Sequence, residues 1–160
     1  MWAAACAEHV LDLFEAECPG DLRPRHAIAG ARAWAAGELA MMQSRAAGGH
    51  AMGAARPLSG AARFAAYAAG QAACIPHVPE HDLGAAAYAI KAAQAAAAAG
   101  DDGEAAARRE CQWQLDQLPD PIRALVLDDQ ARRNPICWSV FTEPGPLAAG
   151  PTHPSGGLQR

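Results

Sequence analysis

His77 and His81 are the two residues of this sequence best spaced to share a metal ion, because positions i and i+4 of a helix project from one face. Pro79 lies between them and interrupts the helix that this spacing requires. No His-Glu-x-x-His motif accompanies the pair, and further ligands would have to converge from His9, Glu80 or Asp82. A connector or capping role is the alternative for both histidines, and no metal or other cofactor is expected. Cys6 and His9, three apart, have the spacing of a thiolate–imidazole pair. Cys6 also falls in an apolar helical stripe, which argues for a buried structural thiol.

Carboxylates recur in pairs, as Glu15 with Glu17, Asp101 with Asp102, and Asp128 with Asp129. Such pairs can divide acid and base work if burial separates their pKa values. Asp101 and Asp102 stand at a helix start, where capping and the helix dipole account for them. Asp128 and Asp129 stand late in a helix, against the dipole, with Arg132 and Arg133 placed to pair at i,i+4. Asp21-Leu-Arg23-Pro-Arg25 sets two arginines at a helix start, again against the dipole, so both should have carboxylate partners. Those partners would come from Asp21, Glu17 or acids of the last helices, or from another protein. Asp21, Arg23, Arg25, Asp128, Asp129 and Arg132 are therefore the candidate partner-binding residues. The Gly48-to-Gly60 stretch with Arg56 lacks the P-loop spacing and follows no strand, and no catalytic set emerges.

The elements that must carry these residues are helices. Trp2, Cys6, Val10 and Leu13 recur at helical spacing over residues 2 to 17, and Cys18-Pro19-Gly20 ends that helix. A second begins near Pro24, runs through Ile28, Ala31, Ala35, Leu39 and Met42, and fades by Gly48-Gly49. Residues 50 to 60 read as a short helix or loop. A third carries Phe64, Tyr67, Gln71 and Cys74 on one face, and Pro76-His77-Val78-Pro79 connects it to a fourth over 80 to 99. Gly100 suits a helix terminus, and Asp101-Asp102-Gly103-Glu104 starts a fifth helix that buries Ala107, Cys111, Leu115 and Leu118. Asp120-Pro121 and Asn134-Pro135 each put an N-cap side chain before a first-turn proline, predicting short helices over 121 to 133 and 135 to 141. The expected architecture is all-α, a single-domain Ala-rich bundle of about six helices over 1–141. Residues 142–160, rich in Pro and Gly, form a flexible tail.

Composition narrows the function. Of 160 residues 51% are apolar, with alanine dominant and aromatics only 6%. Alanine has the highest helix propensity and lets helix axes approach closely. A net charge of −4, with Lys91 the only lysine, argues against a nucleic-acid footprint. The Ala runs are too short and too often interrupted to span a membrane. Five cysteines with no Cys-x-x-Cys pair, and no signal peptide, imply a reduced, cytoplasmic setting.

Four blocks taken in order carry a resemblance. Cys6-Ala-Glu-His-Val-Leu-Asp-Leu-Phe-Glu15 is similar to the opening helix of the bacterial immunity-protein-5-like family of polymorphic toxin systems. Asp21-Leu-Arg-Pro-Arg-His-Ala-Ile28, with Ala33-Trp34 and Gly37-Glu38, resembles its second helix, and His81-Asp-Leu-Gly-Ala-Ala-Ala-Tyr-Ala89 its central Ala-rich helix. Leu118-Pro-Asp120, Leu125-Val-Leu-Asp-Asp-Gln130 and Cys137-Trp138 resemble its C-terminal end. The blocks span about residues 2 to 141. Family members carry additional residues before the first block, so the resemblance implies a chain that begins late or is truncated. The double proline around His77 departs from the family's smoother helix and weighs against a site built there.

The resemblance implies a non-catalytic protein that binds a cognate toxin and covers its active site. Mild acidity would suit a basic, nucleic-acid-cleaving toxin. Two other readings stand beside it. One is a metal-binding or hydrolytic helical protein using histidines and carboxylates, the other a structural homo-oligomer or homodimer built through Ala-rich faces.

Overall fold

The computed structural model describes residues 1–97 and 102–141. Within them the chain forms eight α-helices: α1 (Trp2–His9), α2 (Leu11–Glu17), α3 (Arg23–Ala35), α4 (Met41–Ala55), α5 (Gly60–Cys74), α6 (His81–Ala96), α7 (Gly103–Asp116) and α8 (Asp120–Arg133). A 3₁₀ turn, Asn134–Cys137, follows, and there is no strand among the described residues. The all-α architecture expected from periodicity is the one observed. Gly100, Asp101 and the tail over 142–160 lie outside the described residues.

Two helices predicted as continuous are each broken in two. Residues 2 to 17 split at Val10, whose backbone (φ −113, ψ 8) leaves helical geometry while its side chain is buried. The apolar stripe survives the break because both halves lie on α5, and α1 also meets α6. The second predicted helix ends at Ala35, where Gly37 turns the chain at φ 77, and α4 restarts at Met41. Only glycine adopts that left-handed backbone without steric cost.

The expected fading at Gly48-Gly49 does not occur: α4 runs on to Ala55. Gly48 is where α4 and α5 touch backbone to backbone. A Cβ there would sit 2.7 Å from the carbonyl oxygen of Gly70 and 2.7 Å from Cys74 Sγ. Ser44, one turn earlier and fully buried, donates its hydroxyl to the Ala73 carbonyl at 2.8 Å.

α5 is the hub. It packs against α1, α2, α3, α4 and α6, and Ala62, Ala65, Ala66, Ala68, Ala69, Ala72 and Ala73 are all buried. A helix apolar on nearly every side belongs inside a bundle. The larger residues of the face read from the sequence lie at the margin: Phe64, Tyr67 and Gln71 are only half-buried, while the alanine faces are covered. Small side chains are what allow five neighbours to approach one axis. The bulk is supplied from outside by Phe14, Ile28, Leu83 and Ile90, each worth about 1.5–3 kcal/mol of burial.

Capping follows the sequence at α7, where the Asp102 carboxylate accepts from the Glu104 amide at 2.9 Å. Elsewhere it does not. Asp120 is the first residue of α8 and makes no capping bond. The Asn134 amide instead clasps Phe141, donating to its carbonyl at 2.8 Å and accepting from its N–H at 3.0 Å. The last predicted helix shrinks accordingly to the 3₁₀ turn, and Trp138 and Ser139 follow in left-handed backbone at φ 58 and 55. For residues with a Cβ that conformation costs about 1–2 kcal/mol each.

Candidate functional site

α3 carries Arg25 and Arg32 seven residues apart, two turns along one face. α1 and α2 run against it, with Glu8 and Glu15 also seven apart. The result is an antiparallel two-rung ladder. Arg25 grips Glu15 through two bonds at 2.8 and 2.7 Å. Arg32 grips Glu8 through two more at 2.6 and 2.5 Å. At the start of α3, Arg23 folds back on Asp21 with bonds at 2.9, 3.1 and 2.5 Å. The guanidiniums hold the carboxyls of Glu8 and Asp21 below the usual range.

Beside the ladder lies an open groove of about 560 Å³, floored by Met1, Leu11, Ile28, Ala29 and Ala33 and edged by Glu8, Arg25 and Arg32. Bidentate pairing fixes the long arginine side chains in advance, so a partner meeting this edge orders little that is not already ordered. Arg23 and Arg25 thus have the carboxylate partners that their position required, but Glu15 supplies one of them, and Glu8 and Arg32 complete the ridge. Glu15 stood out in the sequence only as a paired acid with Glu17, and Glu8 and Arg32 did not stand out at all. The matching seven-residue intervals were the signal.

Asp128, Asp129 and Arg132 form a second group on α8. Arg132 bonds Asp128 at 3.0 Å and Asp129 at 2.9 Å, and Arg133 bonds Asp129 at 2.8 Å. This is the pairing within one helix expected from i,i+4 spacing. Arg133 also donates to the Glu80 carbonyl at 2.8 Å, tying α8 to the start of α6. No hydrogen bond or ion pair joins this group to Asp21, Arg23 and Arg25 among the described residues.

His77 sits exposed in the proline turn, whereas His81 opens α6 with Nδ1 2.5 Å from Gln71 Oε1. That bond and the turn at Pro79 prevent the shared helical face that a two-histidine site needs. Burial, ahead of the neighbouring His77, holds the His81 imidazole below its ordinary pKa. Among the described residues no group of three His, Cys, Asp or Glu side chains could hold a metal ion.

The most elaborate polar network lies between α1 and α7. His9 Nδ1 donates to Glu110 Oε2 at 2.7 Å, and the imidazole stacks flat on Trp113 with ring centres 3.6 Å apart. Glu110 is only 4% exposed, and its second oxygen accepts from Gln114 Nε2 at 2.9 Å. Gln114 Nε2 also reaches the Ala86 carbonyl at 3.1 Å, and the Gln114 carbonyl accepts from the Trp2 indole at 2.8 Å. The network locks α1, α6 and α7 together and borders a cleft of about 550 Å³ that includes Asp12 and Arg109.

His9 is therefore a partner of Glu110 and not of Cys6. Burial first, and Glu110 second, push the Cys6 thiol well up, so no thiolate–imidazole pair forms. Burial likewise raises the thiols of Cys74 and Cys137. Glu110 directly precedes Cys111 on the predicted stripe of Ala107, Cys111, Leu115 and Leu118, and nothing in the sequence alone marked it as buried.

No helix among the described residues is long and apolar enough to cross a membrane. No curated protein and no solved structure matches the chain. The family model described as Imm-5 like putative immunity protein matches residues 1–121, a span that takes in α1 to α7 and the whole ion-paired groove, and the chain belongs to that family.

Proposed function

We propose that this protein binds a cognate bacterial toxin in the cytoplasm and neutralises it by occlusion, with the groove between α1 and α3 as the contact surface. The observation that carries the reading is the Glu8–Arg32 and Glu15–Arg25 ladder beside an apolar floor, inside the segment that matches the immunity family. Blocking a toxin requires a preorganised surface with alternating charge and an apolar centre, and no reaction of its own. Asp21 and Arg23 extend the same ridge. Asp128, Asp129 and Arg132 form a separate charged surface outside the matched segment.

The test is co-expression with the toxin encoded by the neighbouring gene. The wild-type protein should restore growth, and the double reversal Arg25→Glu, Arg32→Glu should abolish protection while the purified variant keeps its helical circular dichroism. Undiminished protection by the folded variant removes the groove from the reading. The absence of any toxin that the wild type neutralises removes the reading itself.

A further inference from the structure

Lys91 on α6 lies between two aromatic rings, with Nζ 5.3 Å from the centres of both Phe64 and Trp138. Tyr88 continues the array, stacked on Tyr67 at 5.1 Å and edge-on to Trp138 at 5.0 Å, and Arg63 lies 5.4 Å over Tyr67. Neither cation pairs with a carboxylate among the described residues; Arg63 donates to the Leu58 carbonyl. On a chain of net charge −4 this is a local cationic exception.

Trp138 is held in place, not left to swing. Besides the Asn134 clasp on Phe141, the Ser139 amide donates to the Asn134 carbonyl at 2.8 Å, and Cys137 and Phe141 are buried on either side. Two successive left-handed residues persist only where the surroundings over-determine them. Here the strained turn keeps the indole 51% exposed, and Ile136, two residues earlier in the chain, is 72% exposed. A fixed, half-exposed tryptophan carries little ordering cost on association, and such residues dominate binding energy at interfaces. Glu104 also lines the pocket at Lys91 and Trp138, where Arg108 pairs with it at 3.5 Å, so Lys91 and Arg63 keep their charge for a segment that carries its own carboxylates around an apolar side chain. Two cations on an acidic protein are too few to track a phosphate backbone.

We propose that the Phe64–Lys91–Trp138 patch is a second docking surface, one that receives an acidic segment of the partner protein. Carboxylates of that segment meet Lys91 and Arg63, and an aliphatic side chain lies on Trp138 and Ile136. Trp138 lies beyond the residues that match the family, so this anchor adds to the matched segment. That the partner is a toxin rests on the immunity reading above.

The experiment measures affinity, by calorimetry, between the full-length protein and a catalytically inactivated form of the toxin from the neighbouring gene. Trp138→Ala and Lys91→Glu should each weaken binding at least about 30-fold. Arg45→Glu, reversing an exposed cation near the start of α4, beside Cys74 at the opposite end of α5 from Arg63, should leave it unchanged. If Trp138→Ala melts early, Ile136→Asp probes the same surface from a more exposed side chain and should show the same loss. Binding within about twofold of wild type by folded Lys91→Glu and Ile136→Asp overturns the proposal. So does binding of a single-stranded RNA oligonucleotide that Lys91→Glu abolishes while toxin binding stays intact. Failure of the wild type to bind the toxin at all overturns the immunity reading and the occupant with it, and no variant is needed to see it.

Discussion

Gly48 and Gly70 face each other across α4 and α5 so closely that a Cβ on Gly70 would lie 3.0 Å from the Gly48 carbonyl oxygen and 2.5 Å from Met52 Cγ. Gly49, the next residue along, has nothing within 4 Å of its own Cβ position. The two neighbouring glycines therefore respond oppositely to the same substitution. Gly49→Ala should stabilise the protein by up to about 1 kcal/mol through helix propensity. Gly48→Ala should destabilise it by about 1–3 kcal/mol, because the backbone contact of α4 with α5 must open. Urea denaturation of both variants checks the sign of each change.

The His9–Glu110 bond predicts a second asymmetry. Removing the imidazole in His9→Ala leaves a nearly buried carboxylate with Gln114 as its remaining side-chain partner, at a cost of about 1–3 kcal/mol, moderated because His9 is itself 41% exposed. Glu110→Gln keeps a hydrogen-bonding side chain of similar shape and no charge, and should cost less. Equal losses in the two denaturation curves would show that the His9–Glu110 bond, which both variants disrupt, and not the stacking of His9 on Trp113, which only His9→Ala removes, supports α7.

Stability should fall as the solution is acidified, in two stages. The His81 imidazole has its pKa lowered by burial, so the unfolded chain takes up its proton first. Its contribution is therefore lost as pH falls from the ordinary histidine value, about 6.5, toward the lowered folded value. Glu8 and Asp21, held down by Arg32 and Arg23, contribute above their ordinary carboxylate values and lose that contribution at more acidic pH. Asp82, raised by burial, works in the opposite sense over the acid range. Melting temperatures of the wild type and His81→Gln from neutral pH down through the carboxylate range separate the stages, since the variant should lack only the first.

The Arg25–Glu15 rung specifies which charge swap restores pairing. Both side chains are solvent-accessible, so Arg25→Glu should leave the melting temperature nearly unchanged. If a small loss is measured, Glu15→Arg in the same chain should recover it, whereas Asp129→Arg should not, because Asp129 is bonded to Arg132 and Arg133. Thermal melts of the single and double variants decide this.

The helical class, most helix boundaries and the local charge pairs were legible in the sequence, because these depend on residues within one or two turns of each other. The Asp102 cap, the turn at Pro79 and the pairing of Asp128 and Asp129 with the arginines four residues on are of this kind. Whatever needed a second helix emerged only from the packing. Val10 breaks a continuous apolar stripe, and Gly48 reads as a terminator until α5 is seen against it. Arg25 finds Glu15 only once α3 has folded back along α1 and α2. Glu110 is buried because α1 brings His9 over it. The alanine faces of α5 became the core, and Phe64 and Tyr67 its margin, because the side chains that fit between crowded helix axes are the smallest ones. Periodicity within a single strand of sequence cannot report that distance.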